Sequence, residues 1–330
     1  MGPEIKPSSE ARTRVTMPIP TREDAAVACP ASASLEPAAP TGGLVRPLAW
    51  RFIDRAGGER LCTDRLDWTR PFTLMGAELI KENAQRQVWR VSLGGRVYYV
   101  KLYFRTGLVD RLKRILRGPV CLKEWHVAQY ALERGVNCVR PVACAFAVDG
   151  SGALDSLLIT EGLPGALPLA EYWQGLLDRA GDGQTAVIGQ LEDSLADLLA
   201  RAHLAGLSHS DLHAGNLLVL ESGGRPSVYL VDLHSVQVGR PVSDRGSVEN
   251  LAQLNQWFRR NATLTQRVRL LKRYLACRAK LAPDRGEKGR ATFVRWVRML
   301  DRAVDRHGRR LLSARERRAM KTSKYFARLR

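Results

Sequence analysis

The apolar positions of residues 79–103 alternate as antiparallel strands do. Gln87-Val-Trp-Arg-Val-Ser92 alternates, Leu93-Gly-Gly-Arg96 supplies turn chemistry, and Val97-Tyr-Tyr-Val-Lys-Leu-Tyr103 alternates again. Lys101 therefore sits inside a strand, with Val100 and Leu102 pointing to the opposite face. The period then lengthens. Residues 122–135 read as a helix with Trp125, Ala128 and Leu132 on one side and Gly135 as its stop signal. Residues 136–147, with Pro141, read as strand and turn, and residues 156–161 as a buried strand ending in the polar hinge Gly162-Leu-Pro-Gly165. Beyond the hinge a helical region begins at residues 168–173. It continues as a long amphipathic helix over 184–206, carrying Val187, Leu191, Leu195, Leu198 and Leu199. His203 on that helix reads as a packed core residue. Residues 217–220 and 228–231 are apolar runs of strand length, and Glu221-Ser-Gly-Gly-Arg225 between them makes a hairpin.

Two stretches follow other patterns. Residues 1–46 are rich in Pro, Ala, Ser and Thr without an apolar period, and read as a disordered lead. Residues 105–120 place Leu108, Val109, Leu112, Ile115 and Leu116 at helical spacing, with Arg111, Lys113, Arg114 and Arg117 between them. That segment suits either an acidic membrane interface or a helix docked by its apolar stripe. Residues 48–73 mix aromatic and charged positions (Trp50, Phe52, Trp68) and suggest no chemistry.

Composition adds a compartment and a partner class. The 330 residues are 45% apolar, enough for a sizeable core, and no window offers the roughly 20 uncharged apolar residues of a membrane span. The opening MGPEIKPSSEAR has no apolar core of a secretory signal. Six scattered cysteines, with no C-x-x-C pair, argue against a disulfide framework or a zinc site and fit a reducing cytoplasm. Net charge is +19. Residues 259–330 hold 24 Lys and Arg against 5 Asp and Glu, a surplus equal to that of the whole chain. Such a one-sided basic region points to a polyanion: nucleic acid, an acidic membrane surface or an acidic glycolipid. A solvated helical face is the plain alternative. Aromatic residues in and just before this region are sparse, among them Trp257, Phe258, Phe293, Trp296, Tyr325 and Phe326, which ranks nucleic acid low.

The candidate chemistry lies around the hairpin. Asp211 and Asn216 precede it and Asp232 follows it, so the returning chain should bring Asp232 beside the other two. Two carboxylates and an amide oxygen on loops at strand ends suit Mg²⁺, a hard cation that takes oxygen ligands.

His209-x-Asp211-Leu212-x-x-x-Asn216 is similar to the catalytic loop of the protein-kinase fold, and Asp232-Leu-His234 stands where those enzymes carry Asp-Phe-Gly. The resemblance implies an α+β fold of two lobes. The N-lobe, residues 47–165, would be a small antiparallel sheet. The C-lobe, residues 166–330, would be mainly helical. It further implies ATP and Mg²⁺ as cofactors, with Asp211 accepting the proton of the attacking hydroxyl and Asn216 and Asp232 holding the metal. Lys101 would grip the α- and β-phosphates, Glu124 would pair with Lys101, and the hinge backbone at Thr160, Glu161 and Leu163 would hold adenine. The glycine-rich loop of that fold is missing: Lys81-Glu-Asn-Ala-Gln-Arg86 contains no glycine. Polar side chains or backbone amides of residues 83–87 would cover the phosphates instead.

The likeness sharpens with Glu124-Trp125 followed by Leu132 and Gly135-Val136, the hinge Ile-Thr-Glu161-x-Leu-Pro-Gly165, and Val-Asp232-Leu-His234. These resemble the bacterial lipopolysaccharide kinases, the inner-core heptose and Kdo kinases. The resemblance runs over residues 79–274, with Leu251-Ala-Gln-Leu-Asn255 and the run 265–275 similar to that family's later helices. Ser210 replaces the Arg that senses a phosphorylated activation loop, and no Ala-Pro-Glu follows Asp232. A sugar or glycolipid acceptor fits this better than a peptide. His213 and His234 either face the acceptor or satisfy local hydrogen bonds. The family implies ATP-dependent phosphoryl transfer to an inner-core sugar hydroxyl, of heptose or Kdo, or a related glycolipid. It implies a cytoplasmic chain, peripheral on the anionic inner face of the inner membrane. Arg259, Arg260, Arg267, Arg269, Lys272 and Arg273 would then face that acceptor. The alternatives are a small-molecule kinase of the aminoglycoside or choline type, and a non-catalytic pseudokinase on an anionic surface.

Overall fold

In a computed structural model of the chain the described residues are 48–52, 66–74, 76–105, 107, 118–147, 153–178, 184–285 and 289–322. The expected N-terminal lead and most of the basic segment 105–120 lie outside them.

Six strands, β1 (Leu48–Phe52), β2 (Glu78–Asn83), β3 (Arg86–Leu93), β4 (Arg96–Phe104), β5 (Pro141–Ala147) and β6 (Leu154–Glu161), form one sheet in the order β1-β5-β6-β4-β3-β2. Every neighbouring pair is antiparallel. The β3–β4 turn has φ of +57° at Gly94 and +75° at Gly95, a two-residue turn that only small residues accept cheaply. Its register sets Arg86 opposite Tyr103 and Val88 opposite Lys101. Side chains alternate across a sheet, so Arg86, Lys101 and Tyr103 share one face. Val100 and Leu102 occupy the other, buried with Trp68, Val91, Leu157 and Ile159. Strand β1 and the capping Trp68 come from the stretch whose mixed pattern suggested nothing. Neither has a period of its own; each is defined by its partner.

Helix α1 (Val120–Glu133) covers the Lys101 face, with Cys121 and Trp125 packed on Tyr103, Cys144 and Leu158. Its buried stripe continues from Ala128 to Ala131, and Leu132 is 38% exposed. The expected step of four residues is a step of three, because the C-terminal end of α1 also packs on the second lobe through Val127, Ala128 and Ala131.

That lobe holds β7 (Leu167–Pro168), α2 (Leu169–Asp178), α3 (Gln184–Leu204), β8 (Leu207–His209), the hairpin β9 (Leu217–Ser222) and β10 (Arg225–Leu230), and β11 (Val236–Val238). Helices α4 (Asp244–Asn261), α5 (Leu264–Leu281) and α6 (Arg290–Thr322) complete it. The leucine stripe of α3 (Leu191, Leu195, Leu198, Leu199) is the centre of the largest core. Gly206 ends the helix with φ +82°, and a Cβ there would lie 2.0 Å from the Gly239 carbonyl oxygen. No other residue fits, and the turn delivers the chain through β8 into the loop of Asp211. Thr263 and Gln266 form a reciprocal capping box that starts α5.

Candidate active site

The sheet register and α1 together assemble the first half of the site. Lys101, 8% exposed, donates to Glu124 Oε1, and Tyr103 donates to Glu124 Oε2 at 2.5 Å. Glu124 is therefore turned inward, not lying on the surface of the helix. Lys101 Nζ also lies 3.7 Å from Asp232 Oδ1, so one ammonium bridges the two carboxylates across the lobes. Burial, and then the Glu124 carboxylate, push the Tyr103 hydroxyl well above its ordinary pKa.

The second half is the loop between β8 and β9. His209 Nδ1 accepts the Asp211 N–H at 3.1 Å, which leaves the proton on Nε2, 3.4 Å from the Val231 carbonyl. Burial lowers the pKa of this imidazole. Asn216 Nδ2 donates to the Asp211 carbonyl at 2.8 Å, and Val231 N–H donates to the Asn216 carbonyl at 3.1 Å. The hairpin thus returns Asp232 to Asp211 and Asn216, as the spacing predicts. With its amide nitrogen engaged, Asn216 presents Oδ1 as an acceptor. The Asp211 side chain is 72% exposed, with His213 Nε2 3.6 Å away. His213 Nδ1 accepts the Gly215 N–H at 3.0 Å.

Asp232 has φ +60°, the only positive value at a non-glycine among the described residues. Left-handed backbone at such a residue costs energy and collects at functional sites. Its Oδ1 receives Arg86 Nη1 at 2.6 Å and His234 Nδ1 at 2.7 Å. Burial alone would raise its carboxyl pKa. The hydrogen bond from His234, the charge of Lys101 and the hydrogen bond from Arg86 override burial and hold it far below the ordinary range. His234 thus faces Asp232, with Ser235 Oγ 3.2 Å from its other nitrogen. Lys123 of α1 ties down its carbonyl at 2.6 Å.

At the hinge, the N–H groups of Glu161 and Gly162 are spent on the carbonyls of Arg140 (2.9 Å) and Val97 (2.7 Å). Thr160 is buried at the end of β6, opposite Tyr99.

Sequence reading missed two groups. Asn250 on α4 accepts the His209 N–H at 3.0 Å and donates to the His209 carbonyl at 3.1 Å. Gln253, one turn on, accepts the Leu212 N–H at 2.9 Å. Both lie in a polar-apolar pattern that any amphipathic helix would show. Arg86 lies among residues 83–87, whose polar side chains the sequence offers to the phosphates, but its pairing with Asp232 has no local signal.

Behind the loop, His203 is buried as expected, its Nδ1 2.7 Å from the Tyr274 hydroxyl. Arg278 donates to that same hydroxyl at 3.0 Å, so the tyrosine donates to His203. The basic surface is smaller than the sequence suggests. Arg269 and Arg273 pair with Glu192, and Arg278 is buried on Asp244 and Ser247. Among the described residues no helix is long and apolar enough to cross a membrane.

A profile described as the Lipopolysaccharide kinase (Kdo/WaaP) family matches residues 75–274. The chain belongs to this family. It is 28% identical over 203 residues to the Lipopolysaccharide core heptose(I) kinase WaaP of Escherichia coli K12, covering 58% of this chain and 75% of that protein. It is 27% identical over 205 residues to the 3-deoxy-D-manno-octulosonic acid kinase of Xanthomonas axonopodis pv. citri, covering 60% and 72%. The solved structure of WaaP in complex with acyl carrier protein aligns with TM-score 0.54 at 20% identity, over 77% of this chain and 99% of that one, and supports the fold. As a lipopolysaccharide kinase the chain is a phosphotransferase that uses ATP. The aminoglycoside or choline kinase and the pseudokinase are not favoured.

Proposed function

We propose that this chain transfers the γ-phosphoryl group of ATP to a hydroxyl of a lipopolysaccharide inner-core sugar, heptose or Kdo. The observation that carries the reading is Lys101 held between Glu124 and Asp232, while Asn216 is tied to the backbone of Asp211. Phosphoryl transfer needs little covalent help from the protein; positioning and charge neutralisation do most of the work. Lys101, aimed by Glu124, holds the α- and β-phosphates. The exposed Asp211 orients the sugar hydroxyl and takes its proton. Asn216 Oδ1 and the Asp232 carboxylate form an all-oxygen donor set that suits Mg²⁺, which would supply charge neutralisation when bound. Adenine lies against the hinge at Thr160, Glu161 and Leu163, where the Leu163 N–H takes the place of the two spent donors.

The acceptor is carried on lipid, so the enzyme works against the anionic inner face of the inner membrane. Arg290, Arg298 and Arg302 line one exposed face of α6 and supply the positive charge for that contact.

The test is ATP turnover against heptose- and Kdo-terminated core saccharides, aminoglycosides, choline and peptides, with Asp211→Ala as the control. Turnover is expected with a core saccharide alone. No core-saccharide activity above the Asp211→Ala level would overturn the reading.

A further inference from the structure

The loop that should cover the nucleotide phosphates is a tight hairpin without glycine, and its backbone is already committed. Asn83 Oδ1 accepts the N–H groups of both Gln85 and Arg86 at 2.9 Å. The Gln85 carbonyl accepts the Phe104 N–H at 2.8 Å, pinning the turn to the end of β4. A glycine-rich loop binds phosphate through such amides, and here they point at a side chain of the loop itself. The expectation that amides of residues 83–87 serve the phosphates is not met by Gln85 and Arg86.

What the loop offers the cleft is a charge. Arg86 shares a sheet face with Lys101 and Tyr103, and its side chain is only 13% exposed. Its guanidinium reaches across the lobes to Asp232, Nη1 to Oδ1 at 2.6 Å and Nη2 to Oδ2 at 3.4 Å. Lys101, Arg86 and His234 thus converge on one carboxylate. Arg86 and His234 take up most of the acceptor capacity of Asp232, while Glu124 already engages Lys101. A divalent cation on Asp232 needs the same oxygens and would evict Arg86. The released guanidinium is a planar fork of donors matched to phosphate oxygens.

We propose that Arg86 is a phosphate ligand of the nucleotide, doing with a side-chain charge what a glycine loop does with backbone amides. Its ion pair with Asp232 takes up the oxygens that a cation would need. The inference depends on the nucleotide reading above, and goes beyond it by naming a residue and an exchange.

The experiment is equilibrium binding to the full chain, which keeps the readout apart from turnover. The non-hydrolysable analogue AMP-PNP with Mg²⁺, and adenosine alone, are titrated into wild type, Arg86→Gln and Arg86→Met. AMP-PNP affinity is expected to fall about tenfold or more in both variants, the scale of losing a charge-assisted hydrogen bond. Adenosine, which has no phosphate, is expected to bind within about twofold of wild type. Mn²⁺ alone, followed by its paramagnetic signal, should bind either variant more tightly than wild type, because no guanidinium competes for Asp232. AMP-PNP affinity within twofold of wild type in whichever variant folds would overturn the phosphate role. Mn²⁺ affinity that is equal or weaker would overturn the exchange. Failure of wild type itself to bind AMP-PNP would remove the nucleotide reading along with this one.

Discussion

Asp211 and Asp232, the two carboxylates of the proposed site, have opposite surroundings. Asp211 is open to solvent beside His213, whereas Asp232 is held by Arg86, Lys101 and His234. An open carboxylate suits an arriving hydroxyl; an enclosed one suits a bound cation. Asp211→Ala is therefore expected to lower turnover by about 10²–10⁴-fold, the usual worth of a positioned base, with AMP-PNP affinity near wild type. Turnover at the parent rate would remove Asp211 from that role. His203 gives a second residue-scale prediction. Burial, and then the charge of Arg278, depress its pKa to about 3. An unfolded His titrates near 6.5, so between about pH 6.5 and 3 the unfolded chain binds a proton that the folded chain refuses. Stability is thus full above that window and falls as pH drops through it, by at most about 1.4 kcal/mol per pH unit from this group. In His203→Gln the dependence of Tm on pH between 6.5 and 4.5 should flatten; an unchanged slope would refute the assignment.

Among the elements, α4 sets the shape of the loop between β8 and β9. Asn250 satisfies both backbone groups of the buried His209, and Gln253 holds Leu212 one turn away. A helix fixed by Val248, Leu251 and Leu254 in the main core thereby fixes the loop that carries Asp211 and Asn216. Truncating Asn250 leaves a buried donor and acceptor unpaired, each worth about 1–3 kcal/mol. Asn250→Ala is expected to lose about 2 kcal/mol or more in chemical denaturation and to lower kcat further than it raises KM for ATP. Loss of stability with kcat intact would reduce Asn250 to a packing residue.

For the whole molecule the question is where the basic surplus goes. Part of it is internal: Arg269, Arg273 and Arg278 neutralise Glu192, Asp193 and Asp244. Arg290, Arg298 and Arg302 stay exposed together on α6 and offer one charged face to an anionic surface. Reversing these three to Glu should weaken sedimentation with anionic vesicles, each change contributing about 1 kcal/mol near the surface. Raising salt should weaken the wild type in the same way. Binding indifferent to both would move the membrane contact elsewhere.

The sequence by itself determined the strands around Lys101, the long α3 helix, and the hairpin that returns Asp232 to Asp211 and Asn216. Each depends on a local period or turn, and a period is visible in the order of residues. Only the tertiary structure decided that Arg86 rests on Asp232, that Asn250 holds His209 and that β1 pairs with β5. Those partners stand 146, 41 and 91 to 99 residues apart in the chain. Nothing in a local pattern separates one arginine or asparagine from another, and contact at that range is set by how the lobes close.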